Sequence, residues 1–112
     1  MKIDVSQINL AISNLLINSI QAVSERGEVH LFTRASKKNV FIIIKDNGTG
    51  ISKEHLPKIF DFMFSTKPTG SGLGLSIAKK IISDHHGEIT VRSELNRGST
   101  FRIRLPLSPK AN

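Results

Sequence analysis

The apolar run at residues 40–44 constrains the fold of this chain more than any other feature. An unbroken series of β-branched and aromatic residues bounded by polar ones is typical of a buried strand. Lys45 and Asp46 follow the run, and Gly48 and Gly50 come next. Glycine adopts backbone angles closed to other residues and lets a ligand approach the main chain. The sequence therefore predicts a buried strand that delivers the Asp46 carboxylate to the wall of a ligand pocket.

A second glycine cluster, G-S-G-L-G-L at residues 70–75, precedes an amphipathic segment and is expected to open a helix. The free N–H groups of a helix start favour phosphate. An acid beside one glycine turn and a glycine-rich helix start therefore indicate a nucleotide pocket, in which the acid contacts the base. A Rossmann site is disfavoured, because this cluster follows a loop and lacks the Rossmann spacing.

Length and composition limit the class of protein. A chain of 112 residues predicts one domain, and the absence of cysteine excludes disulfides and thiolate metal sites. No apolar run approaches the roughly 20 residues of a membrane span, and the early Asp4 argues against a signal peptide. We expect a cytoplasmic domain that is not inserted in a membrane.

The basic charge has two interpretations. The formal net charge is +7, but the bases are scattered, and Tyr and Trp are absent as stacking platforms. Nucleic acid is therefore disfavoured as the main ligand. A solvated basic surface that also attracts a polyphosphate is the preferred interpretation.

Hydrophobic periodicity predicts the element order α-β-β-α-α-β-β. The first helix is expected from an Asp4 cap to about Arg26, and the last from about Gly72 to His86. The strands are expected at residues 28–35, 40–46, 88–94 and 99–105, and a short helix follows Ser52. Such an order is typical of an α+β, two-layer α/β sandwich, in which helices cover one face of a mostly antiparallel sheet.

Two asparagines, Asn14 and Asn18, lie one turn apart in the first helix, among apolar neighbours. A buried amide is costly without hydrogen-bond partners. The pair is therefore a candidate for a binding site, and the alternative is a pair of hydrogen-bonded core amides. The aperiodic residues 61–71 are expected to form a lid with an apolar hinge and a mobile tip; the alternative is an ordinary loop with buried phenylalanines.

Four blocks occur in a fixed order: N-L-L-I-N at 14–18, D-N-G-T-G at 46–50, F-D-F-M-F-S-T-K at 60–67, and the cluster at 70–75. They resemble the N, G1, F and G2 boxes of the histidine-kinase catalytic domain, a member of the GHKL ATPase superfamily with the Bergerat fold. The resemblance implies a catalytic domain at residues 1–107 and a tail at 108–112. It also implies that the strand which usually precedes the first helix is missing, which leaves an open sheet edge.

The resemblance implies a role for several residues. Asp46 would accept a hydrogen bond from the amine of adenine, supported by Thr100 on the last strand. Asn18 would contact Mg²⁺, Asn14 would orient water or phosphate, and Lys67 would offset the charge of ATP, or else be a solvated lysine. Asn14, Asn18 and Lys67 are thus the expected catalytic residues. The other expected nucleotide contacts are Ala22, Gly48, Gly50, Ile51, Ile59, Phe60, Phe64, Thr66, Ser71, Gly72, Leu73, Gly74 and Leu75.

The resemblance also separates kinase from ATPase. Hydrolysing relatives carry a glutamate four residues before the metal asparagine, whereas this chain has Asn14, which cannot take a proton from water. The phosphoryl group would go to a histidine on a separate dimerisation domain, because none of His30, His55, His85 and His86 lies in the acceptor pattern. A homodimeric parent kinase and a response regulator are the implied partners, and membrane anchoring of the parent is left open. The alternatives are an anti-sigma regulator of the serine-kinase type and a gyrase-type ATPase.

Overall fold

A computed structural model describes residues 4–61, 64 and 74–107 of the chain. Its helices are α1 (Val5–Ala22) and α2 (Gly74–Asp84), with a 3₁₀ helix at Leu56–Lys58 between them. Its strands are β1 (Val29–Ala35), β2 (Asn39–Asp46), β3 (Glu88–Glu94) and β4 (Gly98–Pro106). This order confirms the predicted series, with the middle helix reduced to one 3₁₀ turn. No helix of the described ranges is long and apolar enough to cross a membrane.

The four strands form one antiparallel sheet in the order β1-β2-β4-β3. Both helices pack on the same face of this sheet, so the predicted two-layer sandwich is confirmed. The core lies between the layers. Its largest fully buried apolar side chains are Leu15, Ile44, Ile82, Phe101 and Ile103. The opposite face of the sheet carries no described helix.

The first helix begins as predicted and ends earlier than predicted. Asp4 is its N-cap, and the Asp4 side chain accepts a hydrogen bond from the Gln7 N–H. The helix ends at Ala22, and Val23 has an extended backbone with φ −98° and ψ 154°. The expected end near Arg26 is wrong, because the Ala22 carbonyl accepts a hydrogen bond from the Thr49 N–H at 3.0 Å. This long-range contact takes the acceptor that one further helical turn would use.

The last helix also ends earlier than the predicted His86. His86 adopts a left-handed φ of 64°, and the Gly87 N–H donates to the Ile82 carbonyl at 2.9 Å. These are the features of a Schellman cap, with histidine in the position usually held by glycine. His85 joins the two helices: Nδ1 lies 2.8 Å from the Ile81 carbonyl, and Nε2 accepts from the Asp4 N–H at 3.0 Å. The predicted start at Gly72 lies outside the described residues.

Candidate functional site

The Asp46 carboxylate ends β2 at the predicted place, and only 4% of the residue is exposed. Its Oδ1 accepts hydrogen bonds from the Gly48 N–H at 2.9 Å and from the Ser99 N–H at 3.3 Å. Its Oδ2 is buried without a hydrogen-bond partner. A buried carboxylate oxygen without a partner is costly. A ligand that donates one hydrogen bond to Oδ2 would remove that cost.

The predicted supporting hydroxyl of Thr100 lies on the other face of the sheet. Thr100 pairs with Lys45, whereas Asp46 pairs with Ser99 in the register of β2 and β4. The neighbour of Asp46 on β4 is therefore Ser99, which is 6% exposed. The sequence alone indicates the correct hydroxyl. Residues two apart along a strand share a face, so Ser99 lies on the same side as the apolar Phe101 and Ile103, which is the helix-covered face.

A hydroxyl pair connects the Asp46 neighbour to the glycine turn. The Ser93 Oγ lies 2.8 Å from the Ser99 Oγ and donates to the Gly98 carbonyl at 3.0 Å. The same Ser93 Oγ accepts from the Ile51 N–H at 2.7 Å. One hydroxyl thus uses one donor and two acceptor positions, which is the full capacity of serine. Sequence analysis did not identify Ser93 as part of this region.

The glycine turn at residues 47–50 is held from both sides by the backbone. The Thr49 N–H donates to the Ala22 carbonyl at 3.0 Å, and the Thr49 carbonyl accepts from the Asn96 N–H at 2.7 Å. The space at the two glycines is correspondingly small. A Cβ at Gly48 would lie 2.3 Å from the Ala22 carbonyl oxygen, and one at Gly50, where φ is +73°, would lie 1.9 Å from the Glu94 carbonyl oxygen. This wall of the site is therefore fixed by close backbone packing.

The predicted amide residues lie next to the start of α2. A Cβ built at Gly74 would be 3.8 Å from the Cβ and the Cγ of Asn14. The first turn of α2, which has N–H groups without helical partners, is thus beside the face of α1 that carries Asn14. Asn14 and Asn18 are both half-buried. The structure therefore brings together the N box and the described part of the G2 box.

A second buried polar atom without a partner lies on α1. Ser19 is 0% exposed, and its Oγ has no hydrogen-bond partner. Ser19 lies directly after Asn18 and one turn before Ala22, whose carbonyl holds the glycine turn. Sequence analysis did not assign Ser19 to the site. The available signal was its helical spacing from the buried residues Ile8, Ala11 and Leu15, which puts a hydroxyl on the buried side of α1.

The aromatic residues that the sequence assigns to the site pack against the core. Phe60 packs edge-on against Phe101, with ring centroids 6.3 Å apart, and the Lys79 Nζ lies 5.5 Å from the centroid of the Phe60 ring. Phe64 is half-buried, and the centroid of its ring lies 5.5 Å from the centroid of the His55 ring. Lys79 is a cation that sequence analysis did not include. Ile59 is buried, and Ile51 and Leu75 pack against the core.

Part of the predicted site lies outside the described residues. This applies to Thr66, Lys67, Ser71, Gly72 and Leu73, and to the lid prediction except for Asp61 and Phe64. Within the described ranges there is no group of three His, Cys, Asp or Glu side chains able to hold a metal ion.

Comparisons with known proteins agree with this geometry. The family model described as histidine kinase-, DNA gyrase B- and HSP90-like ATPase matches residues 3–109. The signal transduction histidine-protein kinase AtoS of Escherichia coli (strain K12) is 44% identical over 100 residues, which are 88% of this chain and 16% of AtoS. Sporulation kinase C of Bacillus subtilis (strain 168) is 36% identical over 104 residues, which are 93% of this chain and 24% of that kinase. The chain thus spans less than a quarter of the length of either relative.

Solved structures show the same fold. The mycobacterial sensor histidine kinase MprB superposes with a TM-score of 0.84 at 27% identity, covering 92% of this chain and 74% of that one. The nucleotide-free catalytic domain of histidine kinase ThkA superposes with a TM-score of 0.83 at 35% identity, covering 93% of this chain and 68% of that one. The chain therefore belongs to the histidine kinase-, DNA gyrase B- and HSP90-like ATPase family, as a catalytic domain of the histidine-kinase type.

Proposed function

We propose that this domain binds ATP with Mg²⁺ and transfers the γ-phosphoryl group to a histidine on a separate dimerisation domain of a sensor kinase. The observation that supports this most is the buried Asp46 Oδ2, which has no partner although Oδ1 accepts two hydrogen bonds. The exocyclic amine of adenine is a donor that suits this position. Guanine has a carbonyl at the same place, so the carboxylate disfavours it.

The phosphate end of ATP would lie between α1 and the start of α2. N–H groups in the first turn of a helix attract phosphate, and Gly74 leaves room beside Asn14. Asn18 would hold Mg²⁺ through its amide oxygen, with the remaining ligands from phosphate and water. The bound ion would supply positive charge that stabilises the triphosphate. Lys67 would add a further cation.

The absence of acid from α1 favours transfer to a protein over hydrolysis. The sequence VSQINLAISNLLINSIQA contains no Asp or Glu along the whole of α1. No carboxylate of this helix can therefore take a proton from an attacking water. The nucleophile would be the neutral imidazole of the acceptor histidine: a phosphorus–nitrogen bond forms, the bond to the β–γ bridging oxygen breaks, ADP leaves, and the other ring nitrogen loses its proton.

The partners of this reaction follow from the same proposal. A homodimeric parent kinase would supply the acceptor histidine, and a response regulator would receive the phosphoryl group afterwards. Catalysis by the domain would then consist of positioning and charge stabilisation, as phosphoryl transfer generally requires.

The test measures binding and transfer separately. Calorimetry compares ATP with GTP in the presence of Mg²⁺, using the unmodified domain and the control variant Asp84→Asn, whose carboxylate is exposed. We expect strong preference for ATP in both proteins. Phosphohistidine is then assayed after addition of a histidine-bearing dimerisation domain. Equal affinity for ATP and GTP would contradict the base recognition, and steady phosphate release without transfer would favour an ATPase.

A further inference from the structure

The helix-free face of the sheet carries an unusual concentration of positive charge. Side chains alternate between the two faces along each strand, and the strand register aligns these positions between neighbouring strands. We call the helix-free side, which carries Arg34, Lys45, Arg92, Arg102 and Arg104, the open face. Its cations are Arg34 on β1, Lys45 on β2, Arg102 and Arg104 on β4, and Arg92 on β3. The carboxylates on its strands are Glu88 and Glu94 of β3. Positive charge is therefore in excess on this face, and β1, β2 and β4 carry the excess.

Few of these cations are neutralised within the described part of the chain. Arg104 is the only arginine or lysine of the open face that forms an ion pair there, with its Nε 3.5 Å from the Glu88 Oε1. Glu28, at the rim, lies 3.2 Å from the His30 Nε2. Like charges on neighbouring strands repel one another and reduce the stability of the folded state. A partner with negative charge would remove this repulsion.

Aromatic rings support two of the guanidinium groups. The Arg34 Cζ lies 6.0 Å from the centroid of the Phe32 ring, and the Arg102 Cζ lies 5.0 Å from that of the Phe41 ring. Phe32 is 40% exposed. Such stacking restricts the long arginine side chains before a partner arrives, which lowers the entropic cost of binding. The same stacking covers ring surface that a nucleobase would need.

A shallow cavity of about 450 Å³ lies at one end of the open face, lined in part by Phe32, Lys45 and Arg97. Lys45 and Arg97 are exposed cations, and among the described residues neither has an ion-pair partner. The cavity is also lined by Glu28 and Asp46, so its two cations face two carboxylates, and the excess positive charge of the open face lies on its strands.

We infer that the open face is a docking surface for an acidic, extended protein segment. Four of its five strand cations are arginine, whose planar fork binds carboxylates in pairs of hydrogen bonds, and arginine with aromatic residues is typical of protein interfaces. The face measures about 23 Å by about 14 Å from the rise per residue and the strand spacing. That is well below the roughly 800 Å² per partner of a globular interface, so a single segment suits it better.

The open face borders the candidate nucleotide site at the cavity, whose lining includes Asp46, and its arginines lie on the other side of the sheet. Asp46 faces the helices, while Arg34 and Arg102 face away from them. Binding of an acidic segment and binding of ATP are therefore expected to be independent, and each proposal can fail without the other.

The experiment uses fluorescence anisotropy with a short fluorescein-labelled poly-glutamate peptide at low salt. The double variant Arg34→Gln/Arg102→Gln should weaken binding by about fivefold to tenfold, as expected for two exposed ion pairs. The control Lys53→Gln/Lys58→Gln removes the same charge from exposed sites outside the open face and should change affinity by less than about twofold. Circular dichroism and ATP affinity, unchanged in both variants, verify the fold.

A second variant distinguishes carboxylate recognition from general attraction. Arg34→Lys/Arg102→Lys keeps the charge but loses the guanidinium fork. On a logarithmic scale of affinity, we expect this variant to lose at least half as much affinity for the peptide as the glutamine double variant loses. Equal weakening by the two glutamine pairs, or full affinity in the lysine pair, would overturn the inference. Tighter binding to phosphatidylserine vesicles or to a single-stranded oligonucleotide than to the peptide would also overturn it.

Discussion

Replacing Asp46 by asparagine tests the base-recognition site most directly. The asparagine Oδ1 can keep the bonds from the Gly48 and Ser99 N–H groups, while an NH₂ group replaces the buried Oδ2. Without nucleotide, two effects on stability oppose each other. The two hydrogen bonds to Oδ1 become weaker because their acceptor is no longer charged, which destabilises the variant. The unpartnered charged oxygen is removed, which stabilises it. Each effect is about 1–3 kcal/mol. The free energy of unfolding is therefore expected to change by less than about 2 kcal/mol.

The effect on ATP is larger, because the new amide places a donor against the donor of adenine. The lost charge-assisted bond is worth about 1.5–3 kcal/mol, and the two facing donors add about 1 kcal/mol or more. The total of roughly 3 kcal/mol corresponds to a dissociation constant at least about a hundredfold higher. GTP should be affected less, because its carbonyl can accept from the new amide.

Isothermal calorimetry with an ATP analogue and with GTP measures both effects, and chemical unfolding measures stability. The control is Asp84→Asn, which removes a carboxylate that is exposed and paired with Lys80. An unchanged ATP affinity in a folded Asp46→Asn protein would refute the assignment of Asp46 to the base.

Three further predictions concern neighbouring positions. Gly50→Ala should lower the free energy of unfolding by more than about 2 kcal/mol, since φ is +73° and the new methyl would meet the Glu94 carbonyl. Gly74→Ala, whose new methyl would make an ordinary van der Waals contact with Asn14, should instead raise it by about 0.5–1 kcal/mol. Thermal unfolding compares the two, and equal destabilisation would contradict the packing described. Ser19→Ala should stabilise the nucleotide-free domain by about 1 kcal/mol by removing a buried hydroxyl without a partner; a lower melting temperature would show that this hydroxyl is bonded. Asn14→Glu should raise phosphate release by the isolated domain above that of the parent protein in a coupled assay, and no increase would show that a carboxylate at this position does not activate water.

The strand and helix pattern could be predicted because each element has a clear apolar period. The alternation in β4 and the stripe of α1 needed no tertiary information. The end of α1 could not be predicted, because Ala22 bonds to Thr49, a residue far along the chain. The sequence near the end of a helix does not indicate that a distant N–H group will bind the last carbonyl of that helix.

The candidate site was predictable in its residue types and less so in its arrangement. The position of Asp46 at the end of a buried strand could be predicted, because this acid directly follows an apolar run. The resemblance points to Thr100, but a motif does not state which side of β4 a residue occupies, and the register places Ser99 beside Asp46. The sequence also lists the arginines of the open face, but only the register of the sheet shows that they share one side.

The two backbone donors on Asp46 Oδ1 have a consequence for nucleotide exchange. They anchor the carboxylate to the backbone, so its acceptor geometry is set without a ligand. In the proposed nucleotide complex, a purine would need no induced fit at this wall, and the length of the phosphate chain would have no influence on it. ADP and ATP should therefore share one base pose, and their affinities should differ only through contacts at the other end of the molecule.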